Sequence, residues 1–306
     1  MRRIIIKLFS LICIVLLLCL LYFSLVFAVF SPRYDESYNA SLLDKEDRLL
    51  SIDEKKIILI GNSNLAYGID SEILEESIGM PVVNMGLHGG LGNRMLEQIA
   101  VKGIQEEDLV IVCHSTYADD NKIGDPELAW VTFENHKELW ELIDKDDFVE
   151  MIPALPQHCL KVTYLWASGQ KYVLRDRYSF NSYGDFALER NQNQGNYKES
   201  FSAPQINETC TIRLNNLNKY CNEKGATMLV AGYPIYTKDG IPDKTEIIAF
   251  ENELRRVLDC EVISNFTDYM YSPEYFYNSV LHMTNEGARK RTRQLVKDIE
   301  NYLSIK

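Results

Sequence analysis

The 306-residue chain lacks an excess of basic residues. It carries 32 Lys and Arg against 44 Asp and Glu, which gives a formal net charge of −12. Clustered Lys and Arg hold phosphate backbones and anionic lipid surfaces, so this balance argues against electrostatic binding to nucleic acid or to an anionic membrane. Internal repeats and low-complexity tracts are also missing. With 46% hydrophobic and 11% aromatic residues, the chain can bury a sizeable core.

Cysteine patterns typical of zinc sites or disulfide frameworks are missing as well. Cys13 and Cys19 lie in an apolar N-terminal run, five cysteines lie outside it, and no CxxC pair occurs. An odd number leaves at least one thiol unpaired. Cys210 and Cys221 are predicted to share one helix, which separates them by about 16 Å, too far for a disulfide. We therefore expect buried free thiols, no metal site and no cofactor.

One long hydrophobic run is present, at the N-terminus. Residues 8–30 are apolar except for two serines, and Arg2, Arg3 and Lys7 precede them. At about 1.5 Å per residue, this run is long enough to cross the roughly 30 Å hydrocarbon core of a bilayer. The basic flank predicts a single-pass cell-membrane protein with a cytoplasmic N-terminus and an extracytoplasmic C-terminal domain. A cleaved signal peptide is the alternative.

Apolar strand patterns alternate with helical patterns after this run. Strands are predicted at Ile57–Ile60, Val82–Met85, Leu109–Cys113, Thr227–Ala231 and Glu261–Ser264. Helices are predicted at Ser71–Ser77, Asn93–Gly103, Lys137–Ile143, Asp147–Leu165, Thr211–Lys224, Thr245–Leu258 and Asn285–Tyr302. Buried apolar strands separated by helices are typical of a parallel sheet covered on both faces. The sequence thus predicts a three-layer α/β/α sandwich with about five parallel strands and a ligand site at their carboxyl ends.

The domain organisation follows from this alternation. Residues 1–30 are predicted to form the anchor or signal, residues 31–55 a polar tether, and residues 56–306 one α/β domain. A helical segment rich in aromatic residues, at about 119–205, interrupts the alternation after the third strand. Long insertions in compact domains usually form lids or binding elements, so we expect this one over the active-site end of the sheet. A plain helical packing layer is the alternative.

A serine follows the first predicted strand at a sharp turn. The strand ends in the sequence GNSN, in which Ser63 is the third residue. A serine on a strand-to-helix turn is exposed and held by the backbone, as a nucleophile requires. His282 stands just before the closing helix and can fold back as the base. The alternatives are that Ser63 caps the helix beginning near Asp70 and that His282 caps or packs at a helix start.

These motifs resemble those of the SGNH/GDSL hydrolase superfamily, particularly its membrane-anchored bacterial envelope members related to polysaccharide O-acetylation proteins. The GNSN sequence resembles the first block, with Ser63 at the nucleophile position. The segment Val83-Asn84-Met85-Gly86 resembles the second block, with Gly86 as the oxyanion glycine. Residues 277–287 resemble the last block, in which an acid and a histidine, here His282, precede a helix. The implied fold is the flavodoxin-like three-layer sandwich of that superfamily.

The third block of the family departs from its pattern here. The family supplies an asparagine after strand three, whereas this chain reads CHSTY at 113–117. His114 or Ser115 is the candidate replacement donor. His88, next to two glycines at the same end of the sheet, and His114 are candidates for substrate contact. The sequence NSYGD at 181–185 also resembles a loop of some envelope members.

The acid of the last block is missing as well. Asn278 stands four residues before His282, where several envelope members have aspartate. An asparagine oxygen can accept the Nδ1 proton, but it brings no negative charge to stabilise the protonated ring. Asp268 or Glu274 could supply the carboxylate instead. Otherwise the site is a slow or inactive Ser–His dyad.

The resemblance implies an extracytoplasmic serine esterase or O-acyltransferase acting on acetyl esters of envelope polysaccharide. Ser63 would be the nucleophile, His282 the base and Asn278 its partner. The N–H groups of Ser63 and Gly86, with Ser115, would hold the oxyanion. The expected partners are the polysaccharide or an acyl donor, the membrane through the N-terminal helix and a membrane-bound acyltransferase. The alternative is a catalytically inactive scaffold of the same fold that binds glycan or a membrane partner.

Overall fold

The structure, a computed structural model, describes residues 2–30, 34, 36–119, 121–134, 136–170, 177–195 and 204–305. The α-helices are α1 Arg2–Leu25, α2 Ser41–Ser51, α3 Ser63–Gly68, α4 Ser71–Ile78, α5 Asn93–Val101, α6 Pro126–Phe133, α7 Lys145–Met151, α8 Leu155–Ser168, α9 Glu208–Glu223, α10 Lys244–Val257 and α11 Asn285–Ile305. The strands are β1 Ile57–Ile60, β2 Val82–Asn84, β3 Leu109–Val112, β4 Thr227–Val230, β5 Ile235–Tyr236, β6 Glu261–Val262, β7 Met270–Tyr271, β8 Phe276–Ser279 and β9 His282–Met283.

The chain divides into two compact units. Met1–Ala40 and Pro126–Arg177 make up the first, which we call the anchor unit. Ser41–Asp125 and Tyr178–Lys306 make up the second, the sheet unit. The predicted insertion at 119–205 is therefore divided between the two units. Its expected function as a lid stays a prediction.

Five strands of the sheet unit form a parallel sheet in the order β2-β1-β3-β4-β6. Ile58 of β1 lies opposite Val83 of β2 and Val110 of β3, and Ile111 of β3 lies opposite Leu229 of β4. All residues of β1 and β3 are buried, as expected where helices cover a parallel sheet. The prediction of an α/β fold with about five parallel strands is confirmed.

The closing helix α11 is fixed to this sheet by apolar packing. Ile299 of α11 belongs to the same buried cluster as Ile57 and Leu59 of β1 and Ile111 of β3. Complete burial of such a side chain contributes about 1.5–3 kcal/mol to stability. Because α11 begins shortly after His282, this packing also fixes where the histidine lies relative to the end of β1.

The helix predicted at Asp147–Leu165 is broken in the structure. It consists of α7 and α8 with the 3-10 turn Ile152–Ala154 between them. Pro153 lies in that turn and Pro156 in the first turn of α8. A proline has no N–H to donate and its ring clashes with the preceding helical turn. The prediction of one continuous helix was therefore wrong, and the two prolines carry the signal that it missed.

Part of the predicted tether is folded. Residues 31–33 and 35 lie outside the described residues, but Ser41–Ser51 form α2. Leu42, Lys45 and Leu49 are buried on one side of this helix, at the three- and four-residue spacing of a helical face. The Nζ of Lys45 donates to the Asn84 carbonyl at the end of β2 at 2.9 Å. Residues 41–51 thus belong to the sheet unit and do not form a flexible link.

All seven cysteines are free, as expected from their spacing. Cys210 and Cys221 both lie on α9. Cys113, directly after β3, is fully buried, and burial raises the pKa of its thiol to about 11. A thiol that stays protonated in this way is a poor nucleophile.

Gly61 is predicted to be sensitive to substitution because it follows β1 directly beside the end of β3. A Cβ at this position would lie 2.7 Å from the carbonyl oxygen of Cys113 and 2.9 Å from Cδ1 of Leu65. The backbone cannot shift without disturbing the sheet, so Gly61→Ala should lower the free energy of unfolding by about 1–3 kcal/mol. Unfolding of the detergent-solubilised chain measures this, with the exposed Glu76→Ala as control. Equal stability of the two variants would contradict the close approach.

Candidate active site

Ser63 lies just past the carboxyl end of β1 and is the first residue of α3. Asn62 is the N-cap of this helix: its Oδ1 accepts from the Asn64 backbone N–H at 3.0 Å and from the Asn64 Nδ2 at 2.7 Å. Asp70 caps the next helix, α4. The alternative that Ser63 serves as a helix cap is therefore wrong, because other side chains take both cap positions.

Ser63, His282 and Asn278 form a continuous chain of hydrogen bonds. The Oγ of Ser63 lies 2.8 Å from the Nε2 of His282, and the Nδ1 of His282 lies 2.8 Å from the Oδ1 of Asn278. An amide oxygen only accepts, so the neutral ring carries its proton on Nδ1. Nε2 is then the acceptor for the Ser63 hydroxyl proton, which is the arrangement that a general base requires.

A hairpin brings Asn278 to the histidine. β8 and β9 pair antiparallel, with Ser279 opposite His282. The Oγ of Ser279 accepts from the His282 backbone N–H at 3.1 Å and fixes the turn. The Nδ1 partner is thus the amide of Asn278 and not the carboxylate of Asp268 or Glu274. Glu274 instead accepts from the Ser272 hydroxyl at 2.5 Å.

Aromatic stacking holds the plane of the His282 ring. The ring lies 4.0 Å from the ring of Tyr67, at an interplanar angle of 10°. Tyr67 stacks in turn on Phe186, at 4.3 Å. The Arg190 guanidinium lies over the Tyr67 ring and its Nε donates to the Met283 carbonyl at 3.0 Å. No sequence motif points to this support, which depends on residues far apart in the chain.

The structure corrects the prediction that Gly86 offers an oxyanion N–H. The Gly86 N–H donates to the Oδ1 of Asn84 at 2.9 Å, so it is already used inside the turn after β2. A glycine is needed there because a Cβ would lie 2.6 Å from the Ala66 nitrogen of α3. Gly89 is the glycine of this loop that reaches the serine turn: a Cβ on it would lie 3.2 Å from the Cβ of Asn62.

Ser115 lies next to the serine turn, on the loop after β3. The Nδ2 of Asn62 donates to the Oγ of Ser115 at 2.5 Å. The residue predicted to replace the family asparagine is thus close to Ser63, and it acts here as an acceptor. Its part in holding an oxyanion stays a prediction.

His114 and His88 have structural roles in this conformation. His114 is fully buried, and its Nε2 lies 2.7 Å from the Oε1 of Glu97, which Arg213 also binds. Direct contact of His114 with a substrate was therefore a wrong prediction. His88 is exposed, and its Nδ1 accepts from the Gly90 N–H at 3.0 Å, which caps a short 3-10 turn.

The loop at 181–185 anchors the end of β2. The buried Asp185 carboxylate accepts from the Ser71 N–H at 2.8 Å, the Ser71 hydroxyl at 2.6 Å and the Asn84 Nδ2 at 2.7 Å. Burial raises the pKa of Asp185 despite these hydrogen bonds. Burial likewise lowers the pKa of the neighbouring Lys45 to about 7. Asp185 thereby positions Asn84, the side chain that binds Gly86.

A cavity of about 310 Å³ opens beside Ser115. Its walls are formed by the following residues: Ser115, Thr116, Tyr117, Ala118, Pro204, Gln205, Tyr233 and Phe250. The hydroxyl of Tyr117 is buried and has no hydrogen-bond partner among the described residues. Because Ser115 binds Asn62, this cavity adjoins the serine turn.

The site thus joins a hydroxyl, an imidazole and an amide side chain by hydrogen bonds. Searches among protein families, curated proteins and solved structures find nothing that matches this chain. The assignment of a function therefore depends on the geometry of the site and on the resemblance of its motifs.

Asn62 is expected to contribute to stability through its cap. Asn62→Ala removes the oxygen that accepts from Asn64 and should destabilise the protein by about 1 kcal/mol. Asn62→Asp keeps a capping oxygen and should be close to wild type, because the Ser115 hydroxyl can donate where it now accepts. Denaturant unfolding of the full chain distinguishes the two. An equal loss of stability in both variants would show that the amide group of Asn62, and not its capping oxygen, stabilises the protein.

Proposed function

We propose that this protein is a membrane-anchored serine esterase or O-acyltransferase of the SGNH type, with the three-layer sandwich of that superfamily. One observation carries the proposal: the hydrogen-bonded chain from Ser63 through His282 to Asn278. These three hydrogen-bonded side chains lie at the carboxyl end of a parallel sheet, where ligands bind in open α/β folds.

The mechanism follows from the direction of these hydrogen bonds. The Oγ of Ser63 attacks the ester carbonyl while its proton passes to Nε2 of His282. The Oδ1 of Asn278 keeps the ring oriented through Nδ1–H. His282 then protonates the leaving alkoxide, and an acyl-serine ester remains. Water or an acceptor hydroxyl then loses its proton to Nε2 and attacks this ester, and Nε2 returns that proton to the Ser63 oxygen as the acyl–serine bond breaks.

The negative oxygen formed on attack needs donors from the serine turn. The Ser63 N–H is among the first of α3, and such groups have no acceptor inside the helix. Gly89 packs closely against the Asn62 side chain from the neighbouring loop. In this proposal the N–H groups of Ser63 and Gly89 hold the oxyanion, with Ser115 as the third donor.

Esters of envelope polysaccharide are the proposed substrates. The motifs resemble those of envelope O-acetylation proteins, and the apolar helix Arg2–Phe30 is long enough to hold the chain at a membrane. Tyr233 and Phe250 give the cavity aromatic walls, which suit the apolar faces of sugar rings. An extracytoplasmic sheet unit would then act on glycan at the cell surface, either hydrolysing its esters or receiving acyl groups from a membrane-bound acyltransferase.

A catalytically inactive scaffold that binds glycan or a membrane partner is the second candidate. The amide of Asn278 favours this candidate, because it occupies the Nδ1 position from which a carboxylate would stabilise a protonated His282. Replacement of the corresponding aspartate by asparagine costs about 10⁴ in rate in a serine protease.

Labelling by a fluorophosphonate probe distinguishes the two candidates. Wild-type protein should be labelled and Ser63→Ala should not, because the probe requires a serine activated by its base. Ser77→Ala, an exposed serine of α4, is the matched control and should label like wild type. No labelling of folded wild-type protein, or equal labelling of Ser63→Ala, would contradict the proposed enzyme.

Asn278→Asp should raise the rate of p-nitrophenyl acetate hydrolysis. A carboxylate would stabilise the imidazolium formed during attack, by up to about 10⁴-fold in rate. The gain should be smaller here, because the surroundings must desolvate a new charge. Asn278→Ala, which supports the ring with neither charge nor hydrogen bond, should be slower than wild type. An unchanged or lower rate in Asn278→Asp would show that the site does not use a charged partner.

A further inference from the structure

Helix α8 of the anchor unit packs along the end of the apolar N-terminal helix. Its Val162 and Leu165 share a buried cluster with Val26 and Phe30. The hydroxyls of Tyr22 and Thr163 are hydrogen-bonded at 2.8 Å, which adds a polar contact to this packing. One face of α8 is therefore fixed to residues 22–30, which lie inside the apolar run at 8–30.

The opposite face of α8 is apolar and exposed. Leu160 is 66% exposed and Tyr164 is 63% exposed. Pro156 and Ala167 are exposed as well, and all four lie at helical spacing on one side. Singly exposed apolar residues are common, but a continuous apolar stripe marks an interaction site.

Charge is nearly absent from this part of the chain. Between Ile152 and Gln170 the only charged residue is Lys161, and its ammonium group is paired with Glu127 at 2.5 Å. Phe148 and Val149 of α7 are also exposed, but charged residues, Asp147 and Glu150, adjoin them in that helix. A face without charges is poorly suited to water.

The packing fixes the depth of α8 relative to a bilayer. The nine residues 22–30 correspond to about 13 Å of helix length. If the apolar run crosses the membrane, these residues lie in its outer half and α8, which contacts them, lies at the same level. Trp166 of α8 stacks on Phe30 at 4.4 Å, and Trp and Tyr prefer this boundary between lipid and water.

We propose that α8 is a second membrane-binding element, which lies in the outer interface of the bilayer with Leu160 and Tyr164 in contact with lipid. The net charge of −12 is compatible with this binding, because the contact is apolar and needs no basic residues.

The packing of α8 on residues 22–30 also favours an uncleaved anchor. Cleavage after Ala28 would remove Tyr22 and Val26 from the core of the anchor unit and leave α8 without its support.

Photo-cross-linking of the full chain tests this proposal. p-Benzoylphenylalanine replaces Leu160 or Tyr164, and the protein is reconstituted in phosphatidylcholine vesicles that contain a radiolabelled phosphatidylcholine. Ile212 of α9 is the matched control, since it is 54% exposed on a helix of the sheet unit. Leu17, inside the apolar run, is the lipid-exposed reference. These positions are exposed, so the replacements need no repacking.

Lipid adducts at Leu160 and Tyr164, at a yield near that of Leu17 and well above that of Ile212, are the expected result. Yields at Leu160 and Tyr164 as low as at Ile212 would overturn the proposal. Cross-links to a second copy of the chain in place of lipid would also overturn it, because the stripe would then be an interface between copies. Absence of adducts at Leu17 would remove the membrane anchor on which the proposal depends, and with it the proposal.

Discussion

The hydrogen bond between Ser63 and His282 joins residues 219 positions apart, and the rest of the sheet unit determines whether it forms. Each end is fixed by a different part of the fold. Ser63 is fixed by the burial of β1 and by the Asn62 cap. His282 is fixed by the β8–β9 hairpin, by its stack on Tyr67 and by the packing of α11. A displacement of about 1 Å at either end would break this bond of 2.8 Å.

Several charged side chains are buried inside the sheet unit, behind the serine and at the end of β2. Arg291 of α11 is fully buried, and its Nη1 donates to the Asn64 carbonyl at 2.7 Å, directly behind the serine. Asp185 and Lys45 are buried at the end of β2. The histidine itself has an amide as its Nδ1 partner. In the reaction we propose, the imidazolium formed on attack would have an amide at its Nδ1 where a carboxylate would stabilise it better.

Local sequence patterns predicted what depends on neighbouring residues. The apolar runs gave the five strands of the sheet, and the small polar turn after β1 marked Ser63. The resemblance of residues 277–287 to the last family block indicated Asn278 as the partner of His282, and the structure has that contact. Strand order was not predictable in the same way, since each strand is apolar on both faces and no pairing signal distinguishes its neighbours.

The errors at His114 and Gly86 came from contacts between distant parts of the chain. His114 follows β3 directly, which made it a candidate for substrate contact. Its ring is buried because Glu97 of α5 and Arg213 of α9 form an ion pair beside it. Gly86 was assigned from its motif, but its N–H is used by Asn84, which Asp185 holds in place from a loop about a hundred residues later.

The anchor unit does not follow the alternation of strands and helices, and the reason lies in the composition of α8. An α/β sheet buries the apolar side of each helix against strands, so its helices need a polar outer face. Helix α8 has apolar residues on both faces and few charges, which a sheet-covering helix in water would not tolerate. In our proposal, such a helix is stable because one face meets protein and the other meets lipid. Its composition, read together with the preceding membrane run, therefore separates this segment from the sheet-forming part of the chain.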